Sequence, residues 1–291
     1  MKLAIGTVQF GLDYGLTNLT GKTSIDDAKR ILEYAENQNI QVIDTSPAYG
    51  ESEEVLGKQN LNSFKVITKT VNIKSNKIGN NDLVEIENSF QQSLQTLNLD
   101  VIDGLFIHNA KDLYKEGNQR LHEKLMEFKE RGLVKKIGVS VYDRFEIDEL
   151  YSKYAFDMVQ LPINVLDQRL DDGFILKELK RENVEIHVRS IFLQGLLLNE
   201  TSLLPDQFKG VFPTLKKYFM YLEEIGMNKM EGALKYIYDI EEIDYAVVGT
   251  TNVSQLQQIN EAFNNIRKSR GQYDLSKYAC SDRQIIDPRK W

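Results

Sequence analysis

The stretch QVIDTSPAYGESEEVLG, residues 41–57, decides how the chain is read. Ile40, Val42 and Ile43 make an apolar run of strand length, and Asp44 ends it. Pro47, Tyr49 and Gly50 follow in a loop, because proline and glycine punctuate regular structure. Ser52 then starts a helix whose first turn carries Glu53 and Glu54, acids that suit the positive end of a helix dipole. Two readings of Asp44 and Tyr49 are open here: a solvated loop, or a strand end that presents an acid and a phenol to a substrate.

The same strand-then-helix unit recurs on both sides. β-rich runs fall at Leu3 to Val8, Ile40 to Ile43, Phe64 to Thr68, Val101 to Ile107 and Lys136 to Val139. Three more fall at Phe156 to Leu161, Val184 to Val188 and Tyr245 to Val248. Between them apolar residues recur at helical spacing. Thr23 and Ser24 cap a helix whose face is Ala28, Ile31, Leu32 and Ala35. Leu83, Ile86, Phe90, Leu94 and Leu97 form a second stripe, and Leu121, Leu125 and Phe128 a third, with Gly132 as its C-cap. Further helices are predicted near 145–154, over 172–181, once or twice within 193–242, and from Ser254. Eight strands alternating with helices, with no Pro/Gly/Ser-rich linker, predict a single (β/α)8 TIM barrel domain over 1–291. A doubly wound open sheet is the structural rival. The segment from Asn264 to Trp291 shows no period and is expected as an irregular C-terminal tail on the barrel surface or over its mouth.

Bulk properties narrow the function. The chain has 291 residues, 42% hydrophobic and 27% charged, with a net charge of −7. These are ordinary values for a soluble globular protein. The acidic balance without charge blocks argues against nucleic acid or an anionic membrane as the main partner. Cys280 is the one cysteine, so no internal disulfide can form. No stretch reaches the ~18 apolar residues of a membrane span, and the N-terminal MKLAIGTVQFG lacks a secretory core. The expected setting is the cytoplasm, with the oligomeric state open. His122 and His187 are isolated and Cys280 has no CxxC partner, so no metal site is expected. His122, beside Glu123, reads as solvated, and His187 as a strand or core residue.

In a (β/α)8 barrel the active site lies at the C-terminal ends of the strands. Strand two ends in Asp44, with Tyr49 in the loop after it; strand three ends in Lys69; strand four ends in His108. These groups suit proton delivery to a carbonyl. A phenol has an unperturbed pKa near ~10, and a nearby ammonium lowers it. Lys69 can supply that charge, Asp44 can hold Lys69, and His108 can hydrogen-bond a carbonyl oxygen. Each residue alone is ordinary; the set at three successive strand ends is not.

With these residues in view the chain resembles the aldo-keto reductases along nearly its whole length. The resemblance rests on DTSPAYG (44–50), SEEVLG (52–57), Lys69 after VIT, His108 after LFI, GVSVYD (138–143), VQLPIN (159–164) and VVGTTN (247–252). It implies a (β/α)8 barrel, an NADP(H) or NAD(H) cofactor and a small carbonyl substrate. It also implies hydride transfer to the carbonyl carbon, with Tyr49 as general acid aided by Lys69, Asp44 and His108. It places Ser140 and Gln160 at the nicotinamide carboxamide and gives Asn164 a weaker role. Ser190 and the loop Leu193 to Leu196, with Leu193 and Gly195, fall at the pyrophosphate, and Gly249, Thr250, Thr251, Gln255 and Gln258 at the adenosine end.

The pattern departs from the family in three places. Val141 replaces an asparagine beside Ser140. Arg189 stands where an aromatic ring commonly stacks on the nicotinamide, and two roles are open for it: stacking by its plane, or recruitment of an anion by its charge. The segment GTTNVSQLQQIN (249–260) carries no basic residue; Gln255 stands where an arginine is often found, and Ile259 replaces an asparagine. A charge-assisted clamp for a 2′-phosphate is therefore missing there. Gln9, Asp13, Tyr14 and Asn18 suggest a polar, sugar-like substrate. A catalytically weak nicotinamide-binding regulatory or scaffold protein, and a lyase or isomerase using Tyr49 and Lys69 without net redox, are the alternatives.

Overall fold

The computed structural model describes residues 1–18, 20–269, 271 and 273–291. Eight strands run in chain order: β1 (Lys2–Gly6), β2 (Val42–Asp44), β3 (Lys65–Lys69), β4 (Ile102–Ile107), β5 (Val134–Ser140), β6 (Met158–Pro162), β7 (Glu185–Arg189) and β8 (Tyr245–Gly249). Each is parallel to the next, and β1 also pairs with β8, so the sheet closes into a barrel. The closure excludes the open-sheet rival. The helices are α1 (Val8–Gly11), α2 (Ile25–Asn37), α3 (Ser52–Gly57), α4 (Asn80–Leu97), α5 (Gln119–Glu130), α6 (Arg144–Lys153), α7 (Ile175–Arg181), α8 (Phe212–Glu224), α9 (Lys229–Tyr238), α10 (Val253–Lys268) and α11 (Arg283–Ile286).

Local chemistry sets these elements. Ser24 Oγ accepts from the Asp27 N–H at 3.0 Å and so caps α2, whose buried face is Ala28, Ile31, Leu32 and Ala35 as the spacing predicts. Inside the barrel Ala4, Val42, Ile67, Phe106 and Met158 pack together. The ring of His187, fully buried, meets Phe106 edge-on at 5.6 Å and Tyr245 face-on at 4.8 Å, and its Nε2 lies 2.9 Å from Glu185. The interior is thus a packed core, and open space is left only at the strand ends.

Several expectations change in detail. Val8 leaves the first strand and begins α1. The second strand begins at Val42, not Ile40, and the fifth at Val134, two residues before the expected Lys136. Ser52 starts α3 as expected, and its hydroxyl donates to Thr7. His122 is not solvated: it is half-buried, its Nε2 lies 3.0 Å from the Ala155 carbonyl oxygen, and its ring packs on Tyr154 and Phe156. The tail starts later than expected, because α10 runs to Lys268. Beyond it the Cys280 N–H donates to the Leu166 carbonyl at 2.8 Å, Arg283 pairs with Asp143 at 2.5 Å, and Trp291 meets Phe208 edge-on. The tail therefore lies against the loops after β5 and β6, at the mouth. Among the described residues no helix is long and apolar enough to cross a membrane.

Phe106 is fully buried within the barrel interior. Phe106→Ala should destabilise the fold by about 3–5 kcal/mol, because the surrounding strands cannot collapse into the space it leaves. Urea denaturation of the two proteins, compared at matched m-values, checks this; a loss under ~1 kcal/mol would contradict the packing.

Candidate active site

The register of the barrel brings distant residues together. Asp44 ends β2, Lys69 ends β3, and both are almost wholly buried. Lys69 Nζ donates to Asp44 Oδ1 at 2.6 Å and to the Thr45 carbonyl at 2.9 Å. Gln160, midway along β6, donates from Nε2 to the other carboxylate oxygen at 2.7 Å. Both oxygens of Asp44 are thereby satisfied, which a buried carboxylate requires. Burial works against the Lys69 charge, but Asp44 and then Tyr49 outweigh it and the pKa stands above the usual lysine value.

The Tyr49 loop is pressed close to α1. A Cβ on Gly11 would lie 1.8 Å from the Tyr49 carbonyl oxygen, so only glycine admits the loop there. Gly50 turns with φ +58. Behind the loop Ser52 Oγ donates to the Thr7 carbonyl at 2.9 Å and lies 3.1 Å from Thr45 Oγ1, and this buried hydroxyl cluster ties α3 to β1 and β2. Tyr49 ends with its ring centre 4.9 Å from Lys69 Nζ and 6.0 Å from the His108 ring, edge to face.

Two protonation states follow. The sequence alone suggests that Lys69 lowers the Tyr49 pKa. In the structure burial pushes it up by more than Lys69 pulls it down, and Asp44 adds to the rise, so the phenol keeps its proton at neutral pH. Burial, reinforced by the Lys69 charge, lowers His108 to about 4. Its imidazole is neutral across the physiological range, with Nδ1 3.4 Å from Ser46 Oγ and Nε2 left for the cavity.

A cavity of about 630 Å³ opens over these groups and runs from β4 round to β8. Ser140 Oγ and Gln160 Oε1 line it, neither bonded to any described residue, and the buried, unpartnered Gln9 Oε1 lines it on the Gly249 side. Along one side runs the backbone of residues 190–195, with φ of 61 at Ser190, 45 at Leu193, 54 at Gln194 and 93 at Gly195. Within this segment the Leu193 and Gly195 N–H groups donate to the Ser190 and Phe192 carbonyls at 2.9 Å, which holds the left-handed turn in place. Gly249, Thr250, Thr251, Gln255 and Gln258 line the far end. The Gln255 side chain is engaged there, accepting from the Thr251 N–H at 2.9 Å. The unpaired side-chain oxygens of Ser140 and Gln160 and a cavity of this size fit a dinucleotide cofactor.

A profile of the Aldo/keto reductase family matches residues 2–277. The chain belongs to the aldo/keto reductase family. It is therefore an NAD(P)-dependent oxidoreductase acting on small carbonyl compounds. Aldo-keto reductase YhdN of Bacillus subtilis is 24% identical over 293 residues, covering 92% of this chain and 86% of that protein. The holo form of aldo-keto reductase AKR11C1 from Bacillus halodurans has the same fold, with a TM-score of 0.76 at 18% identity over 100% of this chain and 95% of that one. Glycerol dehydrogenase AKR11B4 from Gluconobacter oxydans aligns with a TM-score of 0.66 at 20% identity over 94% and 93% of the two chains.

Within this aldo-keto reductase Asp44, Tyr49, His108, Ser140, Gln160 and Arg189 all face one cavity, and Ser190, Leu193 and Gly195 border it. Lys69 is shielded behind Tyr49 and Asp44 and does not line it. Of the residues expected near the substrate, Gln9, Tyr14 and Asn18 line the cavity, while Asp13 only accepts from Asn18 Nδ2 at 3.2 Å. Asn164 is buried as a loop brace, donating to the Ser190 carbonyl and accepting from the Leu166 and Asp167 N–H groups. Val141 turns its side chain into the core and offers only its carbonyl, to Arg189. The sequence reading missed Tyr142, Thr17 and Asn199. The motif GVSVYD contains Tyr142 and was the available signal; Thr17 and Asn199 meet only through the fold, at 3.1 Å.

The low His108 value has a consequence for stability. The unfolded chain takes up the imidazole proton near pH 6.5, the folded chain only near 4. Stability therefore falls as pH drops through this window and is indifferent to His108 above it, by up to about 3 kcal/mol. Denaturation from pH 7 to 4 should show a steeper loss for the wild type than for His108→Gln; parallel curves would refute the buried neutral state.

Proposed function

We propose that this aldo-keto reductase reduces a small polar carbonyl compound to an alcohol, with Tyr49 as the proton donor. The observation that carries the reading is the protonated Tyr49 phenol held between Lys69 and the neutral His108 at the open end of the barrel. Ser46 can donate to His108 Nδ1, which leaves the Nε2 proton to hydrogen-bond the substrate oxygen. That bond and the Tyr49 hydroxyl orient the carbonyl and stabilise charge as it develops on oxygen. Lys69 has two of its three donors on Asp44 and Thr45, and the third is left to steady the phenolate that Tyr49 becomes. Ser140 and Gln160 would hold the carboxamide, and the 190–195 segment the pyrophosphate; the bound nicotinamide would supply the hydride. Gln160 accepts through Oε1 while its Nε2 keeps Asp44 in place, so one side chain links the two halves of the site.

Tyr49→Phe should lower kcat by at least ~100-fold, the scale of a lost general acid, with the cofactor Kd little changed. Turnover near the wild-type value would remove Tyr49 from the role. Tight cofactor binding by the wild type with no turnover of any carbonyl would favour the regulatory or scaffold alternative.

The cofactor reading is NADH or dual use. Among the described residues lining the cavity, Arg189 is the sole lysine or arginine, and it lies at the nicotinamide end rather than beside Thr250, Thr251 and Gln255. A 2′-phosphate would meet hydroxyls and amides without a cation to pair it. NADPH should thus bind no more than about tenfold tighter than NADH by fluorescence titration. A thousandfold preference would show that a cation outside the lining reaches the phosphate.

A further inference from the structure

Arg189 is held in an unusual way. Its guanidinium carbon lies 4.0 Å from the centre of the Tyr142 ring, and that of Arg289 lies 3.4 Å from the same centre. Both guanidinium groups thus lie within cation–π distance of the one phenol ring, an arrangement that suits its negative π-faces. The outer member is anchored: Arg289 donates from Nε and Nη2 to Asp287 at 2.8 and 2.6 Å. The C-terminal tail thereby fixes Tyr142, and Tyr142 fixes Arg189.

The charges around this stack are balanced except at one point. Arg169 pairs with Asp167 and Asp143, Arg283 with Asp143, and Arg289 with Asp287. Arg189 is half-buried and, among the described residues, pairs with no carboxylate. It donates to the Val141 carbonyl at 3.2 Å and, at the limit of hydrogen bonding, to Ser190 Oγ at 3.5 Å. A guanidinium has five donors, so most are unspent. Among the described residues the cavity lining contains one acid, Asp44, and Lys69 already neutralises it. In a chain of net charge −7 the substrate cavity keeps one uncompensated positive charge, and its field reaches Tyr14, Tyr49 and His108.

We infer that Arg189 is an anion anchor, and that the carbonyl substrate of this enzyme carries a carboxylate or phosphate a few bonds from the carbonyl group. The inference rests on the carbonyl-reductase reading of the same cavity. A half-buried cation needs a partner to offset its lost hydration, and no protein acid supplies one. The planar fork matches either anion with two parallel hydrogen bonds. The cofactor pyrophosphate is the competing partner, because Arg189 also reaches Ser190 Oγ at the start of the 190–195 segment; the substrate is preferred because the shorter bond, to the Val141 carbonyl at 3.2 Å, and the Tyr142 ring hold the guanidinium on the β5 side. Tyr142 and Arg289 are positioning residues for it.

The test uses two pairs of aldehydes, the isosteric 4-oxobutanoate and 4-oxobutanamide, and glyceraldehyde 3-phosphate with glyceraldehyde, which differ by the phosphoryl group, at saturating NADH and again at saturating NADPH. The charged member of at least one pair should show kcat/KM roughly tenfold or more above its neutral partner, and added salt should shrink the gap. The pair that responds identifies carboxylate or phosphate. Arg189→Gln should cut the charged-to-neutral ratio by about tenfold or more, mainly through KM, with the cofactor Kd within about threefold of wild type. Arg289→Gln should cut the same ratio by a smaller factor, again in KM and not in kcat. Arg189→Lys keeps the charge and should retain part of the ratio, which guards against a misfolded Gln variant. If none of the four is reduced, calorimetry of 4-hydroxybutanoate and 4-hydroxybutanamide binding to the NAD⁺ complex puts the same question. Equal handling of charged and neutral members by the wild type overturns the inference. So does an Arg189→Gln variant that loses cofactor affinity and falls equally on both members, which would put the guanidinium under the nicotinamide. A charged preference that persists while Tyr49→Phe turns over normally would leave the anchor standing and remove the assigned acid.

Discussion

The buried ion pair between Lys69 and Asp44 is the constraint on which the site depends. Neither side chain is more than a few per cent exposed, and Nζ lies 2.6 Å from Oδ1. Removing two charges from water costs several kcal/mol per ion, and their attraction offsets this only if the remaining hydrogen-bonding capacity is also filled. Here it is: Gln160 takes the second oxygen, and the Thr45 carbonyl takes a second ammonium proton. The partners come from β2, β3 and β6. β6 can reach β2 only across the interior of a closed barrel, so closure of the sheet and burial of the pair require one another.

That dependence explains what was legible in the sequence. The strand–helix alternation gave the barrel because each strand needs an apolar run and each helix an apolar stripe, and both periods survive in a single sequence. Asp44, Tyr49, Lys69 and His108 could be singled out because their strands end where those residues stand, and one fold places all such ends on one face. The errors lie where local pattern and tertiary demand diverge. His122 looks solvated beside Glu123, but the Tyr154 and Phe156 rings cover it. Asp13 looks like a ligand contact, but it serves the loop that carries Asn18.

The stack on Tyr142 was illegible for a different reason. Its members come from positions 142, 189 and 289, and no sequence spacing connects them. Arg189 announced itself as a departure at a position where a ring is common, and Arg289 lay in a tail without periodicity. Only the folded tail, held by Arg283 on Asp143 and by the Cys280 N–H on Leu166, brings the second guanidinium to the ring. Charge composition misleads in the same way: an acidic total conceals a positive point in the cavity, because surface and interior charges are counted together.

The balance at Tyr49 ties these features to the direction of proton flow. Burial raises the phenol pKa, Lys69 lowers it, Asp44 raises it again, and Arg189 lowers it by a smaller amount. Burial outweighs the pull of Lys69 and Asp44 adds to the rise, so Tyr49 rests protonated at neutral pH. An acid with a raised pKa is weak, and in the proposed reaction its proton moves only as negative charge builds on the substrate oxygen. At that moment the Lys69 ammonium, already in place 4.9 Å from the ring centre, stabilises the nascent phenolate without any reorganisation of the site. A bound anion at Arg189 would cancel the smaller lowering influence and hold the phenol protonated more firmly still until charge transfer begins. In the proposed reaction the two cations thus play different parts: Lys69 acts on the proton donor, and Arg189 on what is brought to it.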